Sequence, residues 1–401
     1  MIASVKSGPA TSAVATNTLH APISTLPIRT LFVSTTYPRD ATDWRGTFIA
    51  NISGALARRP DVRLSLWAPP GDVAPGIQPA TTAQESQWLG QLMELGGISH
   101  WLRTRPMTGF PAALQLLHML RSVYRRSSPY DIYHINWLQC ALPLPQDGKP
   151  ALITVLGNDM QLLRLPMMKQ ALRRCLSGRR AAICPNATWM EQPLKELFGD
   201  YASIASIPFG IDPRWYAIER SVGSMHTPPL WLAVTRLTAN KLGSLLEWSQ
   251  PLFGDGSRQL HLFGPMQETI DLPHWVHYHG PATPEQLVTE WFPRAQGLIT
   301  LSQHAEGRPQ VMLEAMAAGL PIIASQLPAH ADLIAHEQTG LLCNSQQGYA
   351  HALATLEHPQ TNLRIGTAAR AWVTHALGTW DDCAERYVQT YQQLLEQSHH
   401  V

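Results

Sequence analysis

Residues 297–325 read Gly297-Leu298-Ile299-Thr300-Leu301, then Ser302-Gln303-His304-Ala305-Glu306-Gly307-Arg308-Pro309, then Gln310-Val311-Met312-Leu313-Glu314-Ala315-Met316-Ala317-Ala318-Gly319, then Leu320-Pro321-Ile322-Ile323-Ala324-Ser325. The first five residues form a short apolar run of the kind a parallel sheet buries on both faces. A polar loop follows, and then ten residues rich in Ala, Leu, Met and Glu, which are good helix formers, closed by a glycine suited to a C-cap. Pro321 to Ser325 is a second apolar run after a tight turn. The unit therefore reads strand, loop, helix, strand. In an open α/β sheet the loop and the helix start lie at the carboxyl edge of the strands, where such sheets bind ligands. Glu306 lies in that loop and Glu314 one to two turns into the helix, so both carboxylates are expected to serve one ligand lying across the helix start.

Working outward, strands are expected at 30–34, 62–67, 131–135, 151–155, 181–184, 203–207, 230–234, 259–263 and 276–278. Helical spacing between them, as in Trp189 to Phe198, argues for a doubly wound parallel sheet. Phe48, Ile52 and Leu56 recur every four residues and predict one buried helical stripe. Residues 85–126 are mostly helical and carry Trp88, Leu92, Trp101, Leu116, Leu117 and Leu120, which read as ordinary core. At 401 residues the chain exceeds what one core usually serves. The expected division is a mobile N-terminal tail at 1–26, an N-terminal domain at 27–213, a hinge at 214–229, a second domain at 230–377 and a helix within 378–401.

Composition narrows the function classes. A net charge of +1 offers no global reason to expect nucleic acid. No run approaches the roughly 18 apolar residues of a membrane span. The five cysteines, Cys140, Cys175, Cys184, Cys343 and Cys383, show neither a CxxC nor a zinc-like spacing, which favours reduced structural thiols and a cytoplasmic location. The first 26 residues lack the long apolar core of a signal peptide.

Glu306 and Glu314, an E-x7-E pair, with the eleven residues from Ala315 to Ser325 in register and Thr339-Gly340-Leu341-Leu342 downstream, resemble the nucleotide-sugar motif of the family 4 glycosyltransferases, which have the GT-B fold. The resemblance implies two doubly wound Rossmann-like domains facing a central cleft, the first on the acceptor side and the second binding the nucleotide-sugar, with a C-terminal helix that crosses back to the first domain. It assigns the donor sugar to Glu306 and the ribose hydroxyls to Glu314. Other stretches are similar to the family too: Gly46 in the first strand-to-helix loop, Asp131 to His134, Gly157-Asn158-Asp159, Ile207 to Asp212, and Gly264-Pro265 near the base. The chain departs from the pattern at Leu156, where many relatives carry a histidine, at Thr235, where a glycine is usual, and at Arg308, which replaces an aromatic residue.

A nucleotide-sugar enzyme must hold a diphosphate and stabilise it as it leaves. No Asp-x-Asp motif is present to carry a metal, so no metal and no cofactor are expected beyond the donor itself, with a UDP or GDP sugar favoured. Arg236 and Lys241, just past the strand at 230–234, supply fixed cations at the carboxyl edge. Gly307 lets backbone approach the ligand, and the amides of Gln310 and Val311 open the helix toward a phosphate. His134 and His304 lie near the expected cleft, though a lone histidine is more often structural. Lys169 to Arg180 reads either as a solvated helix face or as a peripheral membrane contact near a lipid-linked acceptor. The expected activity is hexose transfer, with retention by resemblance, to a saccharide or lipid-linked saccharide, in bacterial cell-surface or exopolysaccharide synthesis. A noncatalytic glycan- or partner-binding module of the same fold and a nucleotide-sugar epimerase are the alternatives.

Overall fold

In the computed structural model, which describes residues 26–40, 42–126, 129–220, 228–304 and 306–396, the apolar runs become parallel strands in two separate sheets. The first seven strands are β1 (Ile28–Val33), β2 (Val62–Trp67), β3 (Gln78–Pro79), β4 (Ile132–Asn136), β5 (Ala151–Val155), β6 (Ala181–Pro185) and β7 (Ser203–Ile204). They pair in the order β3-β2-β1-β4-β5-β6-β7. Their connections carry α1 (Thr47–Ala57), α2 (Ala83–Glu94), α3 (Ile98–Thr104), α4 (Pro106–Arg125), α5 (Gly157–Leu162), α6 (Met168–Leu176) and α7 (Glu191–Phe198).

The second sheet is built from β8 (Leu230–Val234), β9 (Gln259–Phe263), β10 (Val276–Tyr278), β11 (Gly297–Thr300), β12 (Ile322–Ser325) and β13 (Leu341–Cys343), in the order β10-β9-β8-β11-β12-β13. Its helices are α8 (Pro213–Tyr216), α9 (Ala239–Leu242), α10 (Leu245–Phe253), α11 (Pro284–Gln286), α12 (Gln310–Ala317), α13 (Pro328–Ala331), α14 (Gln346–Glu357) and α15 (Pro359–Ala376), followed by α16 (Trp380–Glu396). Each sheet is covered on both faces, as all-parallel sheets require. In the first, one core joins α2 to α7 and the other joins α1 to α16. The architecture is two Rossmann-like α/β domains.

Three local expectations are corrected. The strand expected at 203–207 shrinks to Ser203–Ile204, because at this sheet edge the Ser206 amide donates to the Glu191 carboxylate at 2.9 Å instead of extending the ladder. The buried residues of α1 include Ile49, Ile52, Ser53 and Leu56, while Phe48, expected to be buried in the same stripe, is half-buried against the same core and stacks on Phe209 with ring centroids 5.2 Å apart. Of the connection expected at 214–229, residues 221–227 lie outside the described set. Trp215 and Ile218 are buried in the second domain's core, and the Arg220 guanidinium donates to the carbonyls of Gly319 at 2.5 Å and Ala295 at 2.9 Å.

The chain passes between the domains twice, side by side. Ile211 bridges to Thr379 in parallel, and its amide donates to the Gly378 carbonyl at 3.1 Å. Beyond that point α16 buries Trp380, Cys383, Tyr387, Tyr391 and Leu394 against the first domain. His134 belongs to this contact. It is fully buried, bonds Thr154 at 2.9 Å and the Tyr391 hydroxyl, and burial drives its pKa down to about 3. Its role is to fasten α16 to the sheet. The five cysteines are all free thiols, four of them buried.

Candidate active site

Two loops of the second domain set the charged wall. After β8 the chain runs through Thr235 and Arg236 to Thr238, whose hydroxyl caps α9 by accepting from the Lys241 amide at 3.3 Å. After β11 the loop is stapled to α9 by the Gln303 amide, which donates to the Asn240 carbonyl at 2.8 Å. Gly243, at φ +51°, leaves room for the Leu301 carbonyl where a side chain would collide. These constraints bring Lys241 Nζ to 2.5 Å from Glu306 Oε1, with the Ser302 hydroxyl 3.3 Å from the same oxygen. The pair is largely buried, its side chains 12 % and 13 % exposed. Burial depresses the pKa of Lys241, and the neighbouring Glu306 partly restores it. Arg236 is depressed by burial in the same way. Its guanidinium sits 5.7 Å from the Trp44 ring of the other domain, within cation–π range, and donates to Gln267 at 3.4 Å.

A cavity of about 240 Å³ lies over this pair, and the first domain closes its other side. Phe48, Trp137, Leu156, Gly157, Asn158, Asn186 and Phe209 line it opposite Arg236, Lys241, His304, Glu306, Gly307, Arg308 and Gln310. The two walls touch backbone to backbone. A Cβ at Gly157 would collide with the Glu306–Gly307 peptide, and one at Gly307 would fall 2.8 Å from both Gly157 N and Asn186 Oδ1. Trp189 Nε1 donates to the Gly307 carbonyl at 3.0 Å. Gly307 is thus required for the approach of the opposite domain, in addition to any approach of a ligand.

The cavity gathers unpaired polar atoms. Among the described residues, Trp137 Nε1, Asn186 Oδ1, Arg308 Nε and Gln310 Oε1 are buried without a hydrogen-bond partner, and all four side chains line this space. Native interiors satisfy nearly all such atoms, so a cluster of exceptions in one cavity leaves these groups open to water or to a ligand. Trp137 also has φ +76°, a conformation that costs a non-glycine residue on the order of 1–3 kcal/mol. Asp159, buried beneath, accepts from the Leu138 amide at 2.9 Å and the Leu156 amide at 2.8 Å. It fixes the strand ends on either side of Trp137 and Gly157, and burial pushes its pKa up to about 7.

Other residues singled out from the sequence are placed differently. Glu314 does not line the cavity. It is half-buried on α12, and its pKa is pushed up to about 8 by burial and by the charge of Asp212, with Arg214 opposing. One ligand spanning both carboxylates would therefore pass from the Lys241–Glu306 pair along α12 toward α8. Arg308 lines the cavity but pairs with Asp332, which also bonds Thr188 of the first domain at 3.4 Å through its amide. Its charge is committed to that interdomain clamp, so it is no free cation for a diphosphate. Gln310 donates its side-chain amide to the Gly210 carbonyl at 3.0 Å, fastening the crossover.

Val311 packs against the second domain's core, leaving its backbone at the helix start. Gly264, at φ +136°, gives way to the Thr235 carbonyl and so sets the loop that carries Arg236. Gly46, at φ +73°, begins α1 against the Tyr37 backbone. His304 is half-buried in the cavity wall, its pKa lowered by burial and then by Lys241, with smaller effects of Arg236 and Arg103. Phe48, Trp137, Asn186 and Phe209 are not singled out as site residues by the sequence: Trp137 and Asn186 follow strands with no motif around them, and Phe48 and Phe209 lie in or beside family-like stretches that carry no role for the aromatic residue itself.

In the segment 169–180, Arg179 donates to the carbonyls of Cys175 and Lys149, both at 3.0 Å, Arg173 to Leu197 at 2.9 Å and Arg180 to Leu395 at 3.1 Å. Three of its five cations are therefore engaged in the fold. Larger cavities of about 460 and 600 Å³ lie elsewhere, and neither is lined by Arg236, Lys241 or Glu306.

Two parallel-sheet domains with a cationic cavity at their facing carboxyl edges define the GT-B architecture, and the comparisons with known proteins agree. Residues 230–358 match the family model described as Glycosyl transferases group 1. The chain is 26 % identical over 256 residues to the GDP-mannose-dependent alpha-(1-6)-phosphatidylinositol monomannoside mannosyltransferase of Mycobacterium tuberculosis, a stretch covering 57 % of this chain and 66 % of that protein. The first curated relatives are spanned over 19 % to 66 % of their length. Sucrose-phosphate synthase from Thermosynechococcus elongatus superposes with a TM-score of 0.67 at 17 % identity, over 92 % of this chain and all of that one. HepE from Anabaena in complex with UDP and glucose superposes at 0.61 and 13 % identity, over 90 % of this chain and 99 % of that one. At these identities the structural likeness speaks for the fold.

Proposed function

We propose that this chain is a glycosyltransferase that moves a hexose from a nucleotide-diphosphate sugar, UDP- or GDP-linked, to a saccharide or lipid-linked saccharide. The observation that carries the reading is the Lys241–Glu306 pair beside Arg236 in a cavity whose opposite wall holds unpaired polar groups. In the ligand-free protein Glu306 neutralises Lys241. A diphosphate arriving beside Arg236 and Lys241 competes for those cations, which frees the Glu306 carboxylate toward the sugar. As the glycosidic bond to phosphate breaks, negative charge grows on the leaving phosphate next to fixed cations, and positive charge grows on the sugar near a carboxylate. Both changes favour the transition state over the ground state.

Glu314, along α12, is assigned the ribose. Its raised pKa leaves it able to donate as well as accept. The first domain's wall of Trp137, Asn186, Phe48 and Phe209 is the acceptor side. Retention by front-face departure follows from the family resemblance, and Arg236 and Lys241 supply the charge that a metal would otherwise provide. The UDP and GDP-mannose named in the neighbour and the relative above favour those two bases.

Thermal-shift titration against UDP, GDP and ADP, followed by turnover of the matching sugars in EDTA, tests the reading. A ligand at 100 times its dissociation constant raises stability by about 2.7 kcal/mol. Stabilisation by one diphosphate and turnover that survives chelator are expected. Stabilisation by none, or activity restored only by magnesium or manganese, overturns it.

A further inference from the structure

Charge is distributed unevenly along this chain. Residues 95–130 and 160–190 contain eleven of its 30 lysines and arginines and none of its 29 aspartates and glutamates. The remainder of the chain is correspondingly acidic, so a net charge of +1 conceals a strongly polarised molecule. Both segments pack on the same face of the first sheet, where α4 and α6 share one core. Arg126 is neutralised by Glu85, and Arg179 lies 3.6 Å from Asp147. Arg103, Arg105, Arg121, Arg125, Arg164 and Arg174 stay exposed.

The same two segments carry exposed apolar side chains. Met107, Phe110 and Leu114 are 89 %, 63 % and 53 % exposed, and their spacing of three and four residues places them on one stripe of α4. Leu165 and Met167, 52 % and 77 % exposed, lie on the connection between α5 and α6. Because α4 precedes β4 in a parallel sheet, its first turns lie at the carboxyl edge of the strands. The connection after β5 starts from that same edge. The apolar residues therefore gather at the end of the face that borders the cavity, and Arg103 is near enough to His304 for its charge to act there.

We infer that the surface made by α3, the first half of α4 and the α5–α6 connection docks on an anionic lipid bilayer, with Met107, Phe110, Leu114, Leu165 and Met167 entering the interface and the exposed arginines meeting the headgroups. A charged face rimmed with large apolar groups is the chemistry of an interfacial lipid contact. A patch for nucleic acid needs the arginines, but it has no use for an exposed stripe of Met, Phe and Leu. The surface differs from the 169–180 segment, whose cations are mostly turned inward. Docked this way, the cavity mouth opens beside the bilayer. The inference does not depend on the transferase reading, because its test requires neither donor nor acceptor.

The test is co-sedimentation of the full chain with phosphatidylcholine vesicles, with and without phosphatidylglycerol, and with duplex DNA as a competing polyanion. Binding to the anionic vesicles alone is expected, falling steeply in 1 M salt, where screening shortens electrostatic reach to about 3 Å. Met107→Ser with Phe110→Ser and Leu114→Ser should weaken vesicle binding by at least about tenfold. Arg103→Gln with Arg105→Gln should weaken it by about fivefold for each residue. These side chains are exposed, so both variants should melt like the parent, and that control separates lost docking from lost folding. Equal binding to neutral vesicles, no binding to either, or DNA binding that matches vesicle binding and ignores the serine variant, each overturns the inference.

Discussion

The two walls of the cavity are built on opposite plans. The second domain's wall is written in two short stretches, Thr235 to Gly243 and Ser302 to Gln310, and is centred on the charged Lys241–Glu306 pair, with Arg308 Nε and Gln310 Oε1 left unpaired beside it. The first domain's wall takes one or a few residues from each of five places: Phe48 at the start of α1, Trp137 after β4, Leu156 to Asn158 after β5, Asn186 after β6 and Phe209 before the crossover. Its side chains are aromatic or amide, and its buried polar atoms Trp137 Nε1 and Asn186 Oδ1 are unpaired. A paired charged wall holds its geometry without a ligand and suits a fixed anionic group. An unpaired amide and indole wait for hydroxyls. On the proposed function, this difference predicts that donor and acceptor selection are separable by domain, and mutation can break or sharpen it.

The largest effect is expected at the charged wall. Glu306→Gln should lower kcat by about 10²-fold or more, as loss of a fixed transition-state charge does elsewhere. It also strands Lys241 in a largely buried position, so the variant should melt below the parent, unlike an exposed carboxylate whose loss goes unnoticed. Steady-state kinetics with a melting curve checks both, and an unchanged kcat would remove Glu306 from the chemistry. Next is the seam between the walls. Gly157→Val drives a side chain into the Glu306–Gly307 peptide, so the domains must part. Since misplacement of about 1 Å can cost on the order of 10²-fold, kcat/KM should fall by about ten- to a hundredfold, and small-angle scattering should record a more open molecule.

At the uncharged wall the expected change is smaller and falls on the other substrate. Asn186→Ala should raise the acceptor KM by about fivefold, the worth of one hydrogen bond near 1 kcal/mol, while leaving the nucleotide-induced thermal shift unchanged. If the nucleotide shift collapses instead, the amide belongs to the donor and the two walls are not separable.

The smallest effect is a pH slope from Glu314. Its folded pKa, pushed up to about 8, lies above the ordinary glutamate value. The folded protein therefore binds this proton more tightly than the unfolded chain does, and the associated stability is full below the ordinary glutamate pKa and drains away as pH rises toward 8. Glu314→Gln cannot titrate, so its melting temperature should decline less than the parent's between pH 5 and 8. Because the residue is only half-buried, solvent screening trims the difference to a few degrees. Parallel curves would place Glu314 in water-like surroundings.

Much of this molecule was legible along the chain. Strands at 62–67, 151–155, 230–234, 259–263 and 276–278 stand where short apolar-rich runs placed them, because strands of a parallel sheet covered on both faces are enriched in apolar residues. The unit from Gly297 to Ser325 folds as read, since helix formers, a closing glycine and flanking apolar runs all agree locally. The resemblance of the stretches around Arg236, Lys241 and Glu306 to the family's motifs, with their places just past β8 and β11, brought those three residues forward as candidates. The tertiary structure alone decided what depends on long-range approach. It stacked Phe48 on Phe209, a contact between distant parts of the same domain that helical spacing does not encode. It committed Arg308 to Asp332 and Arg179 to backbone carbonyls, because a long cationic side chain is claimed by whichever acceptor the fold brings within reach. It assembled Trp137, Asn186 and Gly157 from separate strand ends. Side-chain periodicity reports which face of its own element a residue occupies, but carries no record of what that face will meet.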